Sequence, residues 1–477
     1  IYIYIEHSKF SNDENSEIIT HNTLLALCAT VGAMGLGCIL GFASPAGVIL
    51  TSNSTDSSIH ITDSQNSWFS SISNLGALAG CPLAGFCINY LGRRGTIIYA
   101  TIPVLIGWIL IAAAQNFAML IIGRIITGFY CSLISLSVPT YVAEFSSPQI
   151  RGALGSGFQL LVFVGILFSY CMGVTFTNFR WIAISCAVIP CICSLLMLLC
   201  KESPFYLLSK GKDQEAEAAL KSFRGDSYDG IETELRAIRE SLEESRRRKA
   251  TFSDLKKPYI LKPFLMSIGL MFFQQFSGIN AVLFNLASIF EKAGSNLSSN
   301  VSSIIIGLTQ IVGTFIGSLL MDRAGRKSLL IFSSSVMIIS LTALGIFFYY
   351  LKFSPSVAAD IGWLPLVSLI LYVISFAVGF GPIPWLMMGE LFSPEVKELA
   401  SSIATMSNWT MAFITTLIYQ PLTTVIYDYG VYWLFGGFTV FNLIFCITFV
   451  YETKGKTLQE INAHFGSPHS STKESQE

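Results

Sequence analysis

Phe272-Phe273-Gln274-Gln275-Phe276-Ser277-Gly278-Ile279-Asn280-Ala281-Val282-Leu283-Phe284-Asn285 is the stretch whose reading decides the fold. It lies inside a long apolar segment, where an amide without a partner is expensive. Gln274, Gln275, Asn280 and Asn285 carry no formal charge, and each can donate and accept hydrogen bonds. That chemistry suits a neutral, polyhydroxylated ligand. On a straight helix at ~100° per residue, Gln274 and Asn285 fall near one face, whereas Gln275 and Asn280 do not. Ser277-Gly278 between them gives the helix a place to loosen and re-aim its second half. The competing reading is amide glue between neighbouring helices, which membrane bundles also use. Four amides in one span favour a polar cavity.

The surrounding composition fits a membrane setting. Of 477 residues, 52% are hydrophobic and 12% charged, with a mean hydropathy of +0.60. A soluble protein carries about twice that charged share. Apolar runs of about 20 residues recur along the chain, so it reads as an all-α protein embedded in a lipid bilayer. A net charge of −1 gives no sign of a nucleic-acid partner. Cysteines such as Cys28, Cys81, Cys131, Cys191 and Cys193 lie within apolar runs. They read as small buried hydrophobes, with no disulfide framework and no metal site. The chain opens on Ile1 rather than Met, which leaves a preceding segment open, and the apolar stretch 1–5 is too short for a signal peptide.

Twelve spans are expected in two groups of six. After a polar tail over 1–23, the first group occupies 24–50, 68–88, 96–114, 117–138, 152–173 and 181–200. A hydrophilic linker covers 201–261, with amphipathic surface helices expected over 213–220 and 231–244. The second group occupies 262–289, 301–321, 328–350, 362–388, 399–420 and 430–451, and a polar tail follows over 452–477. Arg93-Arg94, Arg151, the long linker, Arg323-Arg326-Lys327, Lys397 and Lys454-Lys456 all follow even-numbered spans. The loops after odd-numbered spans hold few basic residues, chiefly Lys292 and Lys352. An excess of Lys and Arg marks the cytosolic side, which puts both termini and the linker in the cytosol. Glycosylation sequons at Asn53, Asn296 and Asn300 then fall outside the cell. Asn408-Trp409-Thr410 also matches that pattern but lies within a span.

The two groups echo each other at an offset of roughly 240 residues. Gly92-Arg93-Arg94 follows the second span, and Gly325-Arg326-Lys327 the eighth. Glu144-Phe145-Ser146-Ser147-Pro148 with Arg151 ends the fourth, and Glu390-Leu391-Phe392-Ser393-Pro394 with Lys397 ends the tenth. Glu202-Ser203 follows the sixth, and Glu452-Thr453 the twelfth. Duplicated halves of this kind, joined by a long loop, place a binding site near mid-membrane between them.

From about Leu24 to Phe465 the chain resembles the sugar porter family of the major facilitator superfamily. The resemblance rests on Gly92-Arg93-Arg94, Pro139-Thr140-Tyr141-Val142-Ala143-Glu144 with Arg151-Gly152, and Glu202-Ser203-Pro204. In the second half it rests on Gln274-Gln275-Phe276-Ser277-Gly278-Ile279-Asn280, Asp322-Arg323-Ala324-Gly325-Arg326 and Glu452-Thr453-Lys454-Gly455-Lys456. The stretch Gly379-Phe380-Gly381-Pro382-Ile383-Pro384-Trp385-Leu386-Met387-Met388-Gly389-Glu390 is most similar to the insect facilitated trehalose carriers, as are Ser44-Pro45-Ala46 and Ser67-Trp68. The resemblance implies the major facilitator fold and a sugar site. Its contacts would be Gln159 on the fifth span, Gln274, Gln275 and Asn280 on the seventh, Gln310 on the eighth, Trp385 on the tenth, and Asn408 with Trp409 on the eleventh. An indole offers an apolar face to a sugar ring and one donor.

The chain also departs from the glucose carriers. Phe284-Asn285 stands where they have a tyrosine pair, Ala377 where they have an acid, and Gln310 where they have an asparagine. Lys201, Tyr451 and Lys397-Glu398 depart at the cytosolic face. The first two departures bear on the external gate and the choice of sugar.

A neutral sugar needs no metal, cofactor or covalent step, so the expected activity is facilitative transport by alternating access, and no enzymatic constellation stands against it. Arg93, Arg94, Glu144, Arg151 and Glu202, with Arg326, Glu390, Lys397 and Glu452, are expected to form cytosolic ion pairs that hold the outward-facing state and part in the inward-facing one. Arg124, inside the fourth span, is expected to find a carbonyl or an acid. Proton-coupled symport is the nearest rival. It requires a titrating group in the pathway, and Gly41-Phe42-Ala43 offers none in the first span. A non-transporting sugar sensor is the other rival, and the short tail after Phe465 weighs against it. A monomer in the plasma membrane completes the expectation.

Overall fold

The computed structural model describes residues 13–52, 59–146, 151–225, 230–247, 254–294, 298–392, 396–456 and 458–465. Asn53 and Asn296 lie outside the described residues, as do the side chains of Asn300 and Arg151.

Among the described residues, ten helices are long and apolar enough to cross a membrane. Two of them, Asp63–Ala112 and Leu399–Thr448, run for 50 residues each. A straight helix of that length would measure about 75 Å at ~1.5 Å per residue, against a hydrocarbon core of ~30 Å. Each therefore folds back once. The first turns at Gly92 (φ 84°) and the second at Tyr427 (φ 60°). The ten helices thus make twelve spans.

The first six spans are built from α1 (Asp13–Thr51), α2 (Asp63–Tyr99), α3 (Thr101–Ala112), α4 (Phe117–Phe145), α5 (Arg151–Thr175) and α6 (Phe179–Leu198). Three short helices follow: α7 (Pro204–Ser209), α8 (Asp213–Arg224) and α9 (Ile231–Arg247). The seventh span comes in three pieces, α10 (Pro258–Phe276), α11 (Ile279–Phe284) and α12 (Leu286–Ala293). Then come α13 (Ser299–Ala324), α14 (Arg326–Phe353), the short α15 (Pro355–Asp360) and α16 (Leu364–Ser375). A π-helical turn over Phe376–Phe380 joins α16 to α17 (Ile383–Leu391). The merged α18 (Lys397–Thr448) and a short α19 (Leu458–His464) end the described chain.

Lipid supplies no hydrophobic drive between spans, so close packing must hold them. Small residues allow it. A Cβ on Gly37 would lie 1.9 Å from the Val162 carbonyl oxygen, and one on Gly165 2.0 Å from that of Met34, which brings α1 and α5 backbone to backbone. Gly76 and Gly128 do the same for α2 and α4. Arg124 of α4 is fully buried. Its guanidinium donates to the carbonyls of Ile39 (2.7 Å), Phe69 (3.1 Å) and Ser70 (3.5 Å) and to Ser73 Oγ (3.0 Å), pinning α1, α2 and α4 together. The carbonyl arm of the sequence expectation holds, with no carboxylate partner among the described residues.

The halves meet where α2 packs along α18 and α5 along α13. Among the described residues, three hydrogen bonds cross between them: Asn74 Nδ2 to Thr416 Oγ1 (3.2 Å), Tyr170 OH to the Leu283 carbonyl (3.1 Å) and Ala287 N–H to Ser44 Oγ (3.1 Å). All lie in the middle of the bundle or toward the end opposite Gly92 and Gly325.

The turn at Gly92 recurs at Gly325 (φ 89°). In the first, the Glu202 carboxylate accepts the main-chain N–H groups of Arg93 (3.0 Å), Arg94 (3.1 Å) and Gly95 (3.3 Å). In the second, the Glu452 carboxylate accepts those of Arg326 (3.0 Å) and Lys327 (2.9 Å). Each carboxylate thus caps the first turn of the following helix, where N–H groups lack intrahelical partners. A Cβ at Gly92 or Gly325 would strike that carboxylate, at 2.4 and 2.7 Å. Both glycines have ψ near extended values, 177° and 158°, in a region essentially reserved for glycine that costs other residues about 1–3 kcal/mol.

Gly92→Ala and Gly325→Ala should each lower the thermal midpoint of the detergent-solubilised protein. Gly85→Ala, whose Cβ would meet nothing within 4 Å, should leave it in place. Tryptophan fluorescence during heating measures all three, and equal midpoints would remove the capped turn from the stability of the fold.

Candidate functional site

The seventh span breaks where the sequence expectation allowed it to. Gly278 sits at φ 88°, and a Cβ there would lie 2.3 Å from the Phe435 ring, so the break both needs and packs a glycine. Tyr372 of α16 donates its hydroxyl to the buried Ser277 carbonyl at the C-terminal end of α10, at 2.9 Å. The break undoes the straight-helix reading of the amides. Gln275 and Asn280, on different faces of an unbroken helix, come together, with Asn280 Nδ2 donating to Gln275 Oε1 at 2.7 Å. Asn285 turns instead to the Ala281 carbonyl one turn back (2.9 Å).

From Asn280 the hydrogen bonds continue through the bundle. Gln275 Nε2 donates to Asn408 Oδ1 (3.1 Å), and Asn408 Nδ2 donates to Gln274 Oε1 (2.8 Å) and to Met271 Sδ (3.3 Å). Gln274 Nε2 donates to the carbonyls of Phe380 (2.9 Å) and Gly381 (2.8 Å). Pro384 explains the first of these acceptors. Proline has no N–H to give the carbonyl four residues back, so the Phe380 carbonyl is left without its helical donor. The π-helical turn over Phe376–Phe380 and the following prolines thus present main-chain acceptors in mid-span, and Gln274 takes them. Spans seven, ten and eleven are joined by one chain of amides. Gln274, Gln275 and Asn408 are buried, and Asn280 is half-buried at the open end.

The valences differ along the chain. Both hydrogens of Gln274 Nε2 are engaged, and its carbonyl is taken. Gln275 and Asn280 each keep a spare donor, and the Asn280 carbonyl has no partner among the described residues. Gln310 is fully buried on α13, and neither atom of its amide has a partner among the described residues. Its turn of helix packs on the tenth-span break, since a Cβ on Gly313 would meet the Ala377 side chain at 2.9 Å. Trp409 is buried, and its indole N–H has no partner among the described residues. Gln159 and Trp385 are half-buried on α5 and α17 and make no hydrogen bond to the amide chain among the described residues. The sequence reading missed Met271 and the two carbonyls. The carbonyls had a signal in the spacing Phe380 to Pro384.

The charged residues form two matching clusters. In one, Arg93 donates to Glu144 through Nε (3.0 Å) and Nη2 (2.6 Å), and Ser203 Oγ donates to the other oxygen of Glu144. In the other, Arg326 Nη2 donates to Glu390 (3.0 Å), and Thr453 Oγ1 donates to the second Glu390 oxygen. Arg94 and Lys327 reach the last carbonyls of the sixth and twelfth spans, at Met197 and Leu198 and at Ile447. Lys397 Nζ donates to the Gly389 carbonyl at 3.3 Å. Both ion pairs lie within a half, so each cluster fastens the ends of its own six spans. Burial raises the Glu452 carboxyl, but main-chain N–H groups of Lys454, Arg326 and Lys327 outweigh it and hold the group below its usual range. Its contribution to stability is complete above the unfolded value of ~4.3 and is lost as pH falls through the lowered folded one.

Twelve spans in two matching halves, with an uncharged polar centre and a charged cluster at the end of each half, define a transporter of the major facilitator type. The chain belongs to the sugar transporter family: residues 20–465 match the model described as "Sugar (and other) transporter". It is 41% identical over 465 residues to the facilitated trehalose transporter Tret1 of Apis mellifera ligustica, covering 97% of this chain and 92% of that one. It is 40% identical to Tret1 of Aedes aegypti and to trehalose transporter 1 of Drosophila melanogaster, matching 94% of this chain and about half of theirs (55% and 52%). Among solved structures it is similar to the xylose transporter XylE from E. coli in a partially occluded inward open conformation, at 25% identity and a TM-score of 0.77, covering 92% of this chain and 100% of that one.

Gln310→Leu separates a structural from a binding role. Removing a buried amide that has no partner should stabilise the empty protein, by about 1–3 kcal/mol. If the amide serves a sugar, the same change should weaken apparent sugar affinity by about 10-fold or more. Thermal midpoint and transport KM on one preparation give both values. A stabilised protein with unchanged KM would take Gln310 out of the site.

Proposed function

We propose that the chain carries a neutral sugar, trehalose or a hexose such as glucose, down its gradient by alternating access. The observation that carries this reading is the amide chain Asn280–Gln275–Asn408–Gln274, flanked by the unpaired amide of Gln310 and the unpaired indole N–H of Trp409. Such groups exchange protein partners for sugar hydroxyls without any change of charge. Gln159, Gln275, Asn280, Gln310, Asn408 and Trp409 would touch hydroxyls, and Trp385 would lie against a ring face. Gln274, saturated by the tenth-span carbonyls and Asn408, would serve chiefly to tie span seven to span ten.

The orientation that follows places the Arg-rich end, both termini and the linker over 201–261 in the cytosol, with six-span halves over 24–200 and 262–451. Glycans on Asn53, Asn296 and Asn300 would then face outside, in a monomer at the plasma membrane. Under this orientation the hydrogen bonds between the halves lie mid-bundle and outward, and the cytosolic clusters close within their own halves. This is the arrangement of an inward-facing carrier. The charges of Arg93, Arg94, Glu144, Arg151 and Glu202, with Arg326, Glu390, Lys397 and Glu452, would come together across the halves on the swing outward.

Transport without protons fits the first span. Ala43 is buried where an acid would couple the cycle to protons, and Arg124 is satisfied by carbonyls rather than by a titrating partner. Radiolabelled trehalose uptake into proteoliposomes tests this. Uptake should stop at equal concentrations on both sides and be indifferent to a protonophore. Accumulation above the external concentration, abolished by a protonophore, would establish symport instead.

A further inference from the structure

A second cavity lies at the end of the bundle opposite the charged clusters. It encloses about 270 Å3 between α1, the start of α2, α11 with α12, and the eleventh and twelfth spans, so both halves line it. That volume lies near the small end of ligand pockets, commonly ~300–1,000 Å3, and matches a mono- or disaccharide better than a longer chain. Phe284 is part of its lining. The same residue lines a smaller cavity together with Asn280, so Phe284 stands between the outer cavity and the amide chain. The bonds from Tyr170 to Leu283 and from Ala287 to Ser44 fasten the halves on either side of that ring.

The chemistry of the wall is specific. Asn285 and Gln420 present amides, and Asp63, Glu291 and Asp428 present carboxylates. Lys292 Nζ is bound to Asp428 Oδ1 at 3.1 Å, which neutralises one of the three. Asp63, from the first half, and Glu291, from the second, have no ion partner among the described residues. Hydrogen bonds from hydroxyls to carboxylates are roughly twice as strong as those between neutral groups, and amides can complete a ring of acceptors and donors. A metal ion is a poor occupant, since no group of three or more ligating side chains lies together among the described residues. An anion would meet uncompensated negative charge from both sides.

We propose that this cavity is an outer waiting site that binds one neutral saccharide while Phe284 still closes the way to the amide chain, and that Asp63 and Glu291 turn anionic sugars away. The proposal rests on the reading of the chain as a sugar carrier. Entry then needs only Phe284 to move aside, because the ligand is already partly desolvated beside it.

The test is the number of trehalose molecules bound per chain, measured by equilibrium dialysis on the purified full chain. The expected values are two for the wild type and one for Ser288→Trp, which fills the cavity from its wall. Asp63→Asn/Glu291→Gln keeps the shape and removes the charge. In that variant, glucuronate added outside cells should inhibit trehalose uptake about 10-fold more strongly than in the wild type, and glucuronate added to inside-out vesicles should inhibit as before. One trehalose per chain in the wild type, or unchanged inhibition by external glucuronate, overturns the waiting site while uptake stands. Absence of trehalose and glucose uptake by the wild type would remove the carrier reading and this inference with it.

Discussion

The arrangement of the second half depends on one hydrogen bond that a proline makes available. Pro384 leaves the Phe380 carbonyl without a helical donor deep in the bundle, where an unpaired carbonyl is costly. Gln274 fills that vacancy at 2.9 Å and presents its own carbonyl to Asn408. Asn408 in turn holds Gln275, and Gln275 holds Asn280 across the break at Gly278. The backbone irregularities of spans seven and ten are thus satisfied by each other. The amides join these two broken spans to each other and to span eleven. A sugar that takes hydrogen bonds from Gln275 or Asn280 competes with this chain, so occupancy of the site and the posture of both helices are coupled through shared donors.

The rigid parts lie elsewhere. Arg124 ties three spans of the first half through carbonyls, and the turns at Gly92 and Gly325 are capped by Glu202 and Glu452. Glu144 and Glu390 then tie the fourth and tenth spans to those turns. Because each cluster is complete within its half, the halves can rock as bodies without leaving a buried charge unpaired. The amide chain lies within the second half, so a sugar held there would be carried with that half while the contacts to the first half change.

The twelve spans were legible in hydropathy and the repeat in charged motifs, because lipid forces long apolar helices and the turns between them concentrate charge. The break in span seven was legible in Ser277-Gly278, but its consequence was not. Periodicity on a straight helix kept Gln275 from Asn280, and the local geometry at Gly278 decided otherwise. The turn at Tyr427 falls in the break expected between the spans 399–420 and 430–451, where Asp428 and Gly430 interrupt the apolar run, although the residue that takes the positive φ is a tyrosine rather than a glycine. The partners of the charged residues were legible in kind, but whether a pair forms within a half or between halves depends on how the bundle closes, which spacing does not encode. The isolation of the Gln310 amide emerged only from packing. An amide looks the same in sequence whether it is paired or waiting for a ligand.

We propose that the amides that hold the empty bundle together are the ones that receive the sugar. The most direct measurement is the rise in thermal midpoint that trehalose causes in the purified protein, compared with that in Gln275→Leu. At ~100 times Kd a ligand stabilises the wild type by about 2.7 kcal/mol, and a loss of 10- to 100-fold in affinity leaves about 0.4–1.4 kcal/mol at the same concentration. The variant should melt lower without sugar, because the Asn408 carbonyl loses its donor, and trehalose should then raise its midpoint far less than it raises the wild type's. A variant that melts lower but responds to trehalose as fully as the wild type would show that Gln275 holds helices together and does not touch sugar.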